Sequence, residues 1–121
     1  MSSTRQFAIK QVLKGAPLNA SFTTPAFNMQ HMGMASIQIF VTTVSNTGLF
    51  TIECSNDPSD IPADANFDTV KLNPVIPAIN NASEVITIDL APFPYRWVRI
   101  KFTLGTGTDG SCSAVIVGKG A

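Results

Sequence analysis

Met29, His31, Met32 and Met34 crowd the stretch "FNMQHMGMASIQIFV", where thioethers and the chain's single histidine form a donor set that suits Cu(I). The same residues stand where a loop passes into an alternating apolar run, and Gly33 lets the backbone bend there. Methionine is also the adaptable filler of cores and interfaces. Packing is therefore the expected role, and no metal or cofactor is predicted.

A second constellation is acidic. Glu53, Asp57, Asp60, Asp64 and Asp68 meet no base before Lys71, which raises calcium as a ligand. The D-x-D-x-D-G spacing of an EF-hand is missing, and Pro58 and Pro62 stiffen the run, so a solvated loop with turn roles for Asp is expected. Asp68-Thr69-Val70 falls one glycine short of the D-T-G of aspartic proteases. Any nucleophile–base pair built on histidine must use His31, and no G-x-S-x-G elbow, P-loop or dinucleotide fingerprint is present. The sequence predicts a protein that is not an enzyme.

The stretch "PYRWVRIKF" interleaves Tyr95 and Trp97 with Arg96, Arg99 and Lys101. Eight acids cancel eight bases over the whole chain, so no field recruits nucleic acid or anionic lipid. Exposed rings can instead hold a sugar. That gives an alternative function, a carbohydrate or host-surface binding module using Trp97, Tyr95 and the Asp57–Asp68 loop. An outward tryptophan beside arginine is also a common interface anchor, and that is the preferred reading.

The elements that must position these residues follow period 2. In "MASIQIFVTTV", Ala35, Ile37, Ile39 and Val41 share one face, and Ser36, Gln38, Phe40 and Thr42 the other. "LFTIECS" continues with Phe50, Ile52 and Cys54 on one side, and the intervening "SNTG" predicts a β-hairpin. "FDTVKL" predicts a short strand using Phe67, Val70 or Leu72. "EVITIDL" alternates Ile86, Ile88 and Leu90 against Val85, Thr87 and Asp89. "WVRIKFTL" sends Val98, Ile100, Phe102 and Leu104 inward and Trp97, Arg99, Lys101 and Thr103 outward. After the turn "GTGTDG", Cys112, Ala114 and Ile116 face the core. "QFAIKQVL" and "NASFTTPAF" add one or two strands. Seven or eight short strands without a long amphipathic helix predict an all-β, antiparallel β-sandwich of jelly-roll or Greek-key type. Its single domain spans residues 1–121, with residues 1–30 as an N-terminal arm or strand pair.

Charge is the anomaly, because Asp, Glu, Lys and Arg make up only 13% of residues, against roughly 25% in typical soluble domains. From Gly15 through Ile52 there is none. Neutral polar surface is cheaper to desolvate than charged surface, so the chain reads as a subunit of an assembly. No secretory signal and no apolar run near the roughly 20 residues of a membrane helix is visible. Without an export signal, the sequons at Asn19 and Asn81 are read as chance, and Cys54 and Cys112 as two buried thiols.

Residues 35 to 119 carry a further pattern. "TGLFTIECSNDPSD", "FDTVKL" and "ITIDLAPFPYRWVRIKFTLGTGTDGSCSAVIVGK" resemble small β-sandwich structural proteins of tailed bacteriophages. The matching residues are Gly48, Phe50, Ile52, Ser55, Asn56 and Asp57, then Phe67, then Pro94, Tyr95, Trp97, Val98, Arg99 and Ile100, and finally Gly105 and Gly107 of a Gly/Thr-rich hairpin. A longer Pro-rich insertion after Asp57, and Phe67 where a tryptophan often stands, depart from that pattern. The resemblance implies a virion role as a capsid decoration, tail or fibre-associated component, assembled in the host cytoplasm. It also implies a symmetric homo-oligomer, such as a trimer or hexamer, touching other virion proteins. The expected contact residues are Met29, Met32, Met34, Phe40, Tyr95, Trp97 and Arg99.

Overall fold

The computed structural model describes residues 7–30, 32–72 and 75–120. Alternation sets the strands: along β4 (Met34–Thr42), Ala35, Ile37, Ile39 and Val41 are buried while Phe40 and Thr42 face out. The same period builds β5 (Thr47–Ser55), β8 (Glu84–Leu90), β9 (Trp97–Thr106) and β10 (Ser111–Lys119). Ahead of them lie β1 (Phe7–Pro17) and the two-residue pieces β2 (Phe22–Thr23) and β3 (Phe27–Asn28). Two more short pieces, β6 (Asp68–Thr69) and β7 (Ile79–Asn80), follow β5. "FDTVKL" thus yields only two strand residues.

Two antiparallel sheets result, one in the order β1-β10-β4-β8 and one in the order β2-β9-β5-β6, with β3 also on β9 and β7 also on β5. Counting β2 with β3, and β6 with β7, as interrupted strands leaves eight, as expected, and every connection but one then crosses between the sheets. That is the wiring of a jelly roll. The cores of the two sheets meet through Ile37, Ile39, Ala114 and Ile116 on one side and Phe50, Ile52, Ile100 and Phe102 on the other. Phe102 stacks obliquely on both Phe50 and Phe22, at centroid separations of 4.9 and 5.4 Å. Cys54 and Cys112 are both buried and unpaired, on different sheets.

The expected hairpin between β4 and β5 does not form, nor does one between β9 and β10. In each pair the two strands belong to opposite sheets. Alternation tells which side of a strand is buried, but not which strand is its neighbour. The reason for the crossing is visible in the turns. Asn46 is fully buried; its amide donates to the Leu18 carbonyl at 2.9 Å and the Thr106 carbonyl at 3.4 Å. Its side-chain oxygen accepts the Gly110 N–H. One side chain thereby ties the 43–46 turn to the 106–110 segment and to Leu18, the residue that follows β1. Gly107, at φ +84°, lies so close that an added Cβ would come 1.9 Å from the Ser45 carbonyl oxygen.

Removing the Asn46 side chain leaves several buried backbone groups unpaired, at about 1–3 kcal/mol each. Asn46→Ala is expected to lower unfolding free energy by about 3 kcal/mol or more, read from denaturant titration with unchanged m. A loss below about 1 kcal/mol would show that the turns hold without it.

Candidate interaction surfaces

The outward faces of the two sheets differ in kind. On the six-stranded sheet, β5 and β9 present Glu53, Arg99 and Lys101, and the 56–67 loop folds over the end of this face. Burial then loses its alternation. Glu53, Cys54 and Ser55 are all buried, because each face of β5 is covered there.

Asp57 organises that loop. Its carboxylate accepts the Ser59 N–H at 2.8 Å, the Ala63 N–H at 2.9 Å and the Asn66 amide at 2.9 Å. These donors, the Asn66 amide foremost, hold its carboxyl below the usual range, helped by the Arg96 charge and against a loss of hydration. The Asp57 carbonyl in turn receives the Trp97 indole N–H at 3.0 Å. Trp97 does point to the outer side of the sheet, as expected, yet it is only 7% exposed because the loop sits on it. It serves this chain's own packing rather than a partner, which corrects its assignment as a contact residue.

Arg99 is likewise engaged at home. It donates to Glu53 at 2.8 Å and to Asp64 at 2.7 Å, and its guanidinium lies 3.8 Å from the centre of the Phe67 ring. Arg96 lies over Trp97 at 5.0 Å, donates to the Pro58 carbonyl and pairs with Asp60 at 3.2 Å. The acidic loop is solvated along most of its length, as expected, and Asp57 takes the turn role within it, while Glu53, Asp60 and Asp64 pair with the two arginines. Among the described residues, no group of three or more His, Cys, Asp and Glu side chains is placed to hold a metal.

Met29 is 1% exposed and belongs to the core, and Met32 packs half-buried beside it. Both lean on Gly118, where an added Cβ would sit 3.2 Å from each. Met29 is therefore no contact residue; it closes the end of the sandwich. His31 lies outside the described residues.

The outer face of the four-stranded sheet is the opposite case. Ladder register aligns Ile9, Val117, Ser36 and Asp89 in one row, Gln11, Val115, Gln38 and Thr87 in the next, and Ser113, Phe40 and Val85 in a third. Phe40 is 42% exposed, Val85 58% and Ile9 64%. Met34 is exposed at one end of β4, beside a depression of about 330 Å³ lined by Ser36, Ala91 and Val117 and rimmed by Asp89 and Lys119. No charged residue stands in the middle rows. Phe40 and Met34 were legible as surface residues. Val85 carried the same outward parity in "EVITIDL", while Ile9 was hidden by the uncertain register of β1.

This fold is shared with the SPBc2 prophage-derived protein YomS, at TM-score 0.60 and 10% sequence identity over 98% of this chain and 97% of that one. Weaker likenesses join it to the CBM22-1–GH10 modules of Clostridium thermocellum endo-1,4-β-D-xylanase 10B, with TM-score 0.48, 9% identity, 95% of this chain and 26% of that one. The enzymatically active domain of bacteriophage CBA120 tailspike protein 4 gives TM-score 0.44, 12% identity, 93% of this chain and 19% of that one. At such identities the likeness is one of fold alone. No protein family and no curated protein sequence matches the chain.

A pH test reaches both acidic hubs. At Asp109, desolvation acts to raise the carboxyl, but the Val44 N–H, the Thr43 hydroxyl and the Ser45 N–H outweigh it, and the net direction is down, as at Asp57. Folding thus favours ionisation of both groups relative to the unfolded value of about 3.9. Their stabilisation is complete above that pH and is lost as pH falls through the folded values. Denaturation midpoints measured from about pH 6 down to about pH 2 should decline below about pH 4, and the decline should flatten in Asp57→Asn and Asp109→Asn. A midpoint equally steep in both variants would assign acid sensitivity elsewhere.

Proposed function

We propose that this protein is a non-enzymatic structural subunit of a bacteriophage particle, a capsid decoration, tail or fibre-associated component, that works by burying the outer face of its four-stranded sheet against a neighbouring subunit. The observation that carries the reading is that face itself. It is apolar and neutral at its centre, while the opposite face of the molecule carries Glu53, Arg99 and Lys101 and is covered at one end by the chain's own loop. Desolvating Ser, Thr and Gln beside Phe40 and Val85 costs little compared with desolvating ions, and the apolar area gained is of the kind that stabilises subunit contacts.

Packing by face rather than by strand edge agrees with how the β1 edge is built. Two register shifts, Lys10, Lys14, Gly15 at φ +58° and Pro17 all disrupt the regular hydrogen-bonding row that another strand would need. A second copy suits the face. With a two-fold axis running across the strands at Gln38, Phe40 of one copy comes over the depression beside Met34 and Ser36 of the other, and the contact is self-complementary. A hexamer of dihedral symmetry contains the same two-fold contact, whereas a trimer does not. The virion as the place of action draws support from the fold shared with a prophage-derived protein and from the sequence resemblance to phage β-sandwich proteins.

Light scattering coupled to size exclusion checks this directly. The purified chain should run as a whole-number oligomer, and Phe40→Asp combined with Val85→Lys should convert it to monomer with little change in melting temperature, since both side chains are exposed. A wild-type monomer at every concentration, or an oligomer indifferent to both substitutions, would sink the reading.

A further inference from the structure

Beside the β6 edge of the six-stranded sheet, the chain leaves a groove of about 610 Å³ between the end of β5, the 66–71 segment and the Pro92–Tyr95 turn. Small-molecule sites commonly fall within about 300–1,000 Å³. Two of the polar groups on its walls, Asn56 and Asn66, are held in place with capacity to spare. Asn56 uses its side-chain oxygen on the Arg96 N–H at 3.0 Å, which leaves its amide hydrogens to donate. Asn66 uses its amide on Asp57, which leaves its oxygen to accept. Asp68 accepts the Thr69 N–H with one carboxylate oxygen and keeps the other, and Lys71 is exposed nearby. Tyr95 lines the same groove, 37% exposed, its ring steadied edge-on by the buried Phe93 at a centroid separation of 5.3 Å.

Fixed donors and acceptors beside one aromatic ring suit the vicinal hydroxyls and the C–H face of a sugar. One acid opposed by one base gives the groove no net charge, unlike a phosphate site, which gathers cations. Cys54 also lines it, but burial first, and then the Asp68 and Glu53 charges, push its thiol up, so it stays protonated and unreactive at neutral pH. The groove is equipped to hold a ligand and not to attack it.

The geometry points to a saccharide-binding groove in which Tyr95 is the stacking platform and Asn56, Asn66, Asp68 and Lys71 take the hydroxyls of a neutral sugar. The platform is thus Tyr95 and not Trp97, whose ring lies under the 56–67 loop. The groove stands independently of assembly through the bare sheet face, because no residue lines both the groove and the depression on that face.

Amide NMR spectra of the whole chain, titrated separately with lactose, maltotriose, N,N′-diacetylchitobiose and inorganic phosphate, decide the matter. At least one sugar should shift the amides of Asn56, Asn66, Thr69 and Tyr95 saturably in the millimolar range. Those shifts should vanish in Tyr95→Ala, persist in Tyr95→Trp, and weaken severalfold in Asp68→Ala, with the remaining spectrum unchanged in each variant. Silence toward all three sugars, shifts that survive Tyr95→Ala, or a stronger response to phosphate would overturn the assignment. Because the readout is local to the groove, it holds whether the chain runs as a monomer or an oligomer.

Discussion

The hydrogen bonds of the crossing turns are the constraint on which the structure depends. A hairpin turn continues the ladder of its own two strands, but a jelly roll sends the chain across the sandwich at nearly every connection, where no ladder is at hand. Backbone groups at those crossings need side chains. Asn46 and Asp109 supply them: Asn46 serves Leu18, Thr106 and Gly110, and Asp109 receives Val44 and Ser45. Short polar residues are what such turns demand, because their side chains reach the backbone: Asn46 does so from a buried site without charge, and Asp109 from an exposed one as a carboxylate.

The placement of side chains on either side of each strand was legible, because period 2 is a local property that each segment carries by itself. Ile37, Ile39, Ile86, Ile88, Ile100 and Ile116 all point inward as their spacing implies. The pairing of strands was not legible. "SNTG" has hairpin composition, yet the Asn that would have turned the hairpin is pulled inside to bind Leu18 and the 106–110 segment. That choice is made by residues 28 to 64 positions away. Composition within the turn holds no trace of it.

Trp97 shows a second limit of the same kind. Its parity was right, but exposure depends on what lies above a face, and the 56–67 loop is laid down there by Asp57 gathering the N–H groups of Ser59 and Ala63. A signal did exist in the residues: an Asp followed by Pro and Ser, with Asn nine residues on, is a sequence able to fold around a carboxylate. Once Trp97, Arg96 and Arg99 are drawn into that clasp, the basic and aromatic stretch that suggested a binding surface keeps only Tyr95 and Lys101 at the surface. The face of the other sheet is plainer, a surface of Phe, Val, Ser, Thr and Gln.

The two faces of the sandwich therefore divide the work. Folding its own loop over one end of the six-stranded sheet lets that side carry Arg96 and Arg99, each paired with an acid of the same chain. The other sheet has no loop over it among the described residues, and the segment from Gly15 to Ile52 that supplies its central strand β4 contributes no acid or base. A charge placed at Gln38 or Phe40 would improve the solubility of a lone chain at almost no folding cost. Its absence costs an isolated molecule solubility and fits the proposal that a neighbouring subunit covers the β4 face. The groove beside Tyr95, set on the other sheet's margin, shares no lining residue with the depression on the β4 face.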